Sequence, residues 1–141
     1  MKPREHVAKG DRLVATIQKL DPVKHFEMII ENCMNAGTHY LNAAFHVEGL
    51  THEHHDQAHS FRPPLELFSN KPSPGMAKAM NALAFIEGLR LEYVRGAGKY
   101  DADLMKKCMD CFEESTNGFL KIVGDERKVP VWANPPYWAA S

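Results

Sequence analysis

The chain has 141 residues, 44% of them hydrophobic and 25% charged, with a formal net charge of −1. That length fits a single domain, 1–141, able to bury a core, and the near-zero charge gives no global electrostatic case for nucleic acid or an anionic membrane surface. The opening "MKPREHVAKGDRL" lacks an apolar h-region, no run of about 18 apolar residues occurs, and three cysteines without framework spacing suit a reducing compartment, so a cytoplasmic protein without a membrane partner is expected.

Helical periodicity dominates, and glycine and proline cut the chain between periodic segments. A first helix is predicted over about residues 4–19, with Val7, Val14, Ile17 and Leu20 as a narrow apolar stripe. Gly10 weakens that helix by roughly 1 kcal/mol relative to alanine. Asp21-Pro22 then reads as a helix start, since aspartate caps free N–H groups and proline fits the first helical position. The second helix is predicted from Pro22 to about Glu48, roughly 40 Å long, with Gly49 as its stop. Val23, Phe26, Ile30, Cys33, Gly37, Tyr40, Leu41 and Ala44 line one face, and Gly37 lets another helix approach closely.

Residues 50–75 form a long connection, where Pro63-Pro64 and "NKPSPG" forbid regular structure and "LELF" allows one short helical turn. A third helix begins near Ser73-Pro74 and ends near Arg95, before Gly96 and Gly98. A fourth is capped by Asp101 and stopped by Gly124, with Leu104, Cys108, Cys111, Ser115, Phe119 and Ile122 as its inner stripe. The predicted fold is all-α, a four- to five-helix up-down bundle with one long crossover loop. Residues 125–141 form an extended tail carrying both tryptophans, Trp132 and Trp138. Exposed tryptophan is costly, so the tail is expected to dock, either along its own bundle or as a swapped arm on a second subunit.

Two stretches carry candidate chemistry. On the second helix His25, Asn32, His39 and His46 recur every seven residues, with Asn35, Asn42 and Met28 among them. A histidine and asparagine face suits partial burial with hydrogen-bonding partners, so these residues, with Trp132 and Trp138, are the candidate ligand or interface surface. A plain solvated face is the alternative. Histidines seven apart are two turns, roughly 10 Å, from each other and cannot share a metal without help from elsewhere. The loop "THEHHDQAH" brings His52, His54, His55 and His59, the candidate ligand set if the protein binds metal. Its order misses the helical H-E-x-x-H zinc pattern by one residue, and a polar loop whose histidines cap helices or bond backbone is the simpler reading.

No E-x-x-H occurs, which argues against a di-iron bundle. Cys108 and Cys111 form a C-x-x-C in mid-helix, where they read as core rather than redox chemistry. Arg90 and Arg95, followed by Lys99, either bind an anion or complement a helix dipole. None of these motifs calls for a cofactor.

The stretches "ENCMNAGTHYLNAAFHVEGLTHEHHDQAH" and "LEYVRGAGKYDADLMKKCMDCFEESTNGFLKIV" resemble the HEPN domains (higher eukaryotes and prokaryotes nucleotide-binding). Those carry an alanine-rich long helix, a glycine stop and a histidine–aspartate pair, here His55-Asp56. The resemblance covers roughly residues 22–123 and implies a helical bundle, dimerisation and, in some members, a nucleotidyltransferase partner or RNase activity. No arginine precedes a histidine at the family's R-x4–6-H spacing; an RNase-like site would rest on Arg95, His55 and Asp56. The leading expectation is a non-catalytic bundle acting as a homodimer that binds a ligand or partner protein. The alternatives are an HEPN-like RNase or toxin–antitoxin component, and a metal-binding bundle.

Overall fold

The computed structural model describes residues 1–58 and 65–125; His59 and the tail with Trp132 and Trp138 lie outside the described residues. Among the described residues four α-helices run in order: α1 Pro3–Ile17, α2 Phe26–Val47, α3 Pro74–Gly88 and α4 Ala102–Val123. Among the described residues there is no β-strand, and no helix is long and apolar enough to cross a membrane. The expected all-α bundle with a long crossover is what forms. Among its described residues the crossover between α2 and α3 holds a 3-10 turn, Leu65–Leu67, at the predicted "LELF".

α2 is the central element and packs against α1, α3 and α4. Ile29, Ile30, Cys33, Met34, Tyr40, Leu41 and Phe45 on α2 are fully buried and meet Phe112 and Phe119 of α4 and Leu83 and Ile86 of α3. Burying each of these large apolar side chains contributes about 1.5–3 kcal/mol, which outweighs the modest helix propensity of the β-branched and aromatic ones. Two glycines set the spacing. A Cβ on Gly37 would sit 2.4 Å from Leu83, so the glycine admits α3, as expected. A Cβ on Gly10 would sit 2.6 Å from the Tyr40 ring, so the glycine that weakens α1 as a helix is what seats Tyr40 against it.

Several boundaries differ from expectation. α1 ends at Ile17 rather than about 19, and its buried positions are His6, Gly10, Val14 and Ile17. Asp21 accepts from the N–H groups of Val23 and Lys24, 2.9 and 2.8 Å away, but it caps a turn over 22–25. α2 proper begins at Phe26, four residues later than predicted. The third helix is α-helical only to Gly88; its helical run does end near Arg95, as expected, but as a π turn, Arg90–Val94. On α4 the buried face centres on Met105, Cys108, Met109, Phe112, Ser115, Thr116, Phe119 and Leu120. Leu104, Cys111 and Ile122 flank it half-buried, because the true apolar band is wider than a one-row stripe and turned toward Phe112. The α4 ends agree with expectation: Asp101 Oδ1 accepts from Leu104 N–H at 3.0 Å, and Gly124 takes the left-handed conformation at φ 92°.

Candidate metal centre

The polar row of α2 is covered where it runs toward the C-terminal end. His39 and His46 are two turns apart, and a histidine from another helix fills the gap. His6 of α1 is 1% exposed, and its ring centroid lies 5.2 Å from that of His39 and 5.4 Å from that of His46. It is carried there by the same α1 face that buries Val14 and Ile17.

The third contributor arrives by a turn. α2 stops at Val47; Gly49 at φ 70° reverses the chain, and Leu50 N–H returns to Phe45 O at 2.9 Å. Only glycine adopts that φ without strain. The chain then passes beneath His46, where Thr51 Oγ1 lies 2.7 Å from His46 Nδ1. Further on, buried Asn42 grips the Gln57 backbone at two points: Gln57 N–H donates to Asn42 Oδ1 at 2.6 Å, and Asn42 Nδ2 donates to Gln57 O at 3.0 Å. That clamp sets the neighbouring Asp56 over the two imidazoles. Asp56 Oδ1 is 2.8 Å from His6 Nε2 and 2.8 Å from His46 Nε2.

Two ring nitrogens and one carboxylate oxygen thus converge, all within 4.8 Å of one another. Divalent zinc holds nitrogen and oxygen donors at about 2.0–2.2 Å, which spaces tetrahedral ligands about 3.3 Å apart. Such an ion fits once each Nε2–Oδ1 contact opens by about half an ångström and the two histidine nitrogens, within 4.8 Å of each other, draw in toward the same spacing. Among the described residues this is the one His/Cys/Asp/Glu group of three or more so arranged. Each histidine is also held at its other nitrogen, His46 by Thr51 and His6 by His39 Nδ1 at 2.9 Å. Such outer partners fix the ring orientation of metal-binding histidines.

Apart from the Met1 ammonium, 3.7 Å from Asp56 Oδ1 and opposed to a bound cation, the electrostatics suit ligation. Burial pushes the His6 imidazole below its ordinary range, against the opposing bond to Asp56. Burial also lowers His39, helped by the neighbouring His6 and Lys9. Burial pushes the Asp56 carboxyl up, but the bonds from His46 and His6 outweigh it and leave Asp56 below the ordinary range. Neutral imidazole and ionised carboxylate are the forms that bind metal.

The other candidates fall elsewhere. His25 is exposed and accepts the Asp21 N–H at Nδ1, and Asn32 is half-buried further up α2. His52, His54 and His55 lie beside one another on the loop, with ring centroids 4.8 Å apart for His52 and His54, outside the converging group. Asp56, expected beside His55 in an RNase-like site, turns to His6 and His46 instead, while His55 is exposed. Arg95 follows the π turn whose Tyr93 packs on Phe26 at the start of α2, so within one chain it lies about 30 Å from Asp56, a helix length away. Arg90 binds Glu31 with two hydrogen bonds, at 2.9 and 3.1 Å, rather than waiting for an anion. Of the C-x-x-C pair, Cys108 is buried core, as expected, whereas Cys111 is half-buried at the edge of the core; Cys33 of α2 is also buried, its Sγ 3.9 Å from Met109 Sδ, and burial raises its thiol.

His6 escaped the sequence reading although a signal existed. It lies four residues before Gly10 and eight before Val14, on the stripe that faces the core. No family model, curated protein or solved structure matches this chain.

Proposed function

We propose that this protein is a ligand-binding helical bundle whose ligand is a divalent transition-metal ion held by His6, His46 and Asp56. One observation carries the reading: two imidazole Nε2 atoms from different helices meet a single carboxylate oxygen from the crossover, each at 2.8 Å. Nitrogen and carboxylate donors suit zinc, iron, cobalt or nickel rather than calcium or magnesium. The set differs from the loop histidines that the sequence offered. Protein prepared without metal-affinity chromatography should take up close to one Co(II) per chain, and Asp56→Ala should lose it. A parent chain that takes up no stoichiometric Co(II) sinks the reading.

Homodimerisation is a second proposal. Val23, Met28 and Leu91 are exposed large hydrophobics near the start of α2 and the π turn, which meet through Phe26 and Tyr93. Light scattering should give near twice 15.9 kDa; a clean monomer at micromolar concentration removes it. An HEPN relationship is supported here by the resemblance and the helical fold, and RNA cleavage lost on His55→Ala would be its signature.

A further inference from the structure

We infer that His39 is a positioning residue for the metal centre, and that it works because an imidazole can both give and accept a hydrogen bond. This rests on the metal-binding reading. A carboxylate oxygen only accepts, so in the arrangement seen both Nε2 atoms donate to Asp56. The Nδ1 atoms of His6 and His46 are then acceptors, served by His39 Nδ1–H at 2.9 Å and by the Thr51 hydroxyl at 2.7 Å.

A metal reverses all of this. Each Nε2 must give its lone pair to the ion, so each ring must carry its proton on Nδ1 and donate outward. For His46 the change is easy: the Thr51 hydroxyl rotates to accept, with Thr51 O at 3.3 Å as a second acceptor. His6 is buried and depends on His39. The proton on His39 Nδ1 crosses the 2.9 Å contact to His6 Nδ1, and His39 takes a new one at Nε2. His39 is only half-buried, which gives it exchange with water. The count balances: two Nε2 protons leave from His6 and His46, two arrive at His46 Nδ1 and His39 Nε2, and the total charge on the three rings is unchanged. No buried donor or acceptor is orphaned in either arrangement, which avoids a cost of about 1–3 kcal/mol per group. A carboxylate or carbonyl in place of His39 could serve only the metal-bound form.

The test is Zn(II) affinity by competition with a chromophoric chelator, on the full chain. His39→Phe keeps a ring but no partner, and its affinity should fall by about 10–100-fold. His39→Gln has an amide that gives or accepts, and it should recover to within about threefold of the parent. His39→Ala removes the same bond without bulk and replaces the Phe variant if that does not fold. Unfolding midpoints of the metal-stripped variants separate a merely structural role, which would lower the midpoint and leave affinity unchanged. Unchanged affinity in the Phe or Ala variant overturns the inference, as does a folded Gln variant that binds no better than either. A parent that binds no Zn(II) fails at an earlier step and takes the metal reading with it.

Discussion

At Gly10 two local effects oppose each other. Alanine would favour the helix by about 1 kcal/mol. Its Cβ would also meet the Tyr40 ring at 2.6–3.0 Å, and that ring is tied down by the Tyr40 hydroxyl donating to Asp11 Oδ1 at 2.8 Å. The steric term should win, so Gly10→Ala is expected to destabilise by about 1–2 kcal/mol. Urea unfolding with an unchanged slope and a lower midpoint checks it; a midpoint at or above the parent's would show that the ring yields. The same trade separates His6 from the other histidines: as a residue it is polar, but its place on the α1 stripe drives it inward with Val14 and Ile17. Burial then favours its neutral form, the form a metal needs.

At the scale of elements, the start of α2 shows how a correct cap can mark a different boundary. Asp21 binds two backbone N–H groups, yet Pro22 to His25 form a separate turn, and His25 returns its N–H to Asp21 O at 2.8 Å. Those bonds, from Lys24 first and Val23 second, hold the Asp21 carboxyl below its ordinary 3.8. Near and below that pH the unfolded chain binds the proton more readily than the folded one. The contribution of Asp21 is therefore complete above the unfolded value and lost as pH falls through the folded one. Asp21→Asn removes that dependence, so the stability gap between parent and variant should narrow on acidification from pH 5 to 3. Urea midpoints across that range measure it, and a constant gap refutes it. The Glu31–Arg90 pair works at the same scale, joining α2 to the π turn across the break where α3 ends.

At the scale of the whole molecule, the candidate centre ties α1, α2 and the crossover together, three parts also joined by packing, the Tyr40–Asp11 hydrogen bond and the Asn42 clamp. Metal binding should stabilise the native state by about 2.7 kcal/mol at a hundredfold excess over Kd, raising the thermal midpoint. Hydrogen exchange should slow at the amides of Thr51 to Gln57, and a chelator should reverse both changes. Equal exchange with and without Zn(II) would show that the crossover takes no part.

The sequence by itself determined the four helices, their caps at Asp101 and stops at Gly49 and Gly124, the crossover and the close approach at Gly37. These follow from local chemistry: left-handed φ, free N–H groups and apolar spacing along one helix. It also marked His39, His46 and Asp56 as special, but in two separate groups. Only the tertiary structure decided that His6 stands between His39 and His46, that Asn42 folds Asp56 onto them, and that Arg95 lies at the far end of α2. A helix's own periodicity says which side chains share a face, whereas the partner of that face is chosen by how α1 and the crossover pack, across 33 to 50 residues of chain.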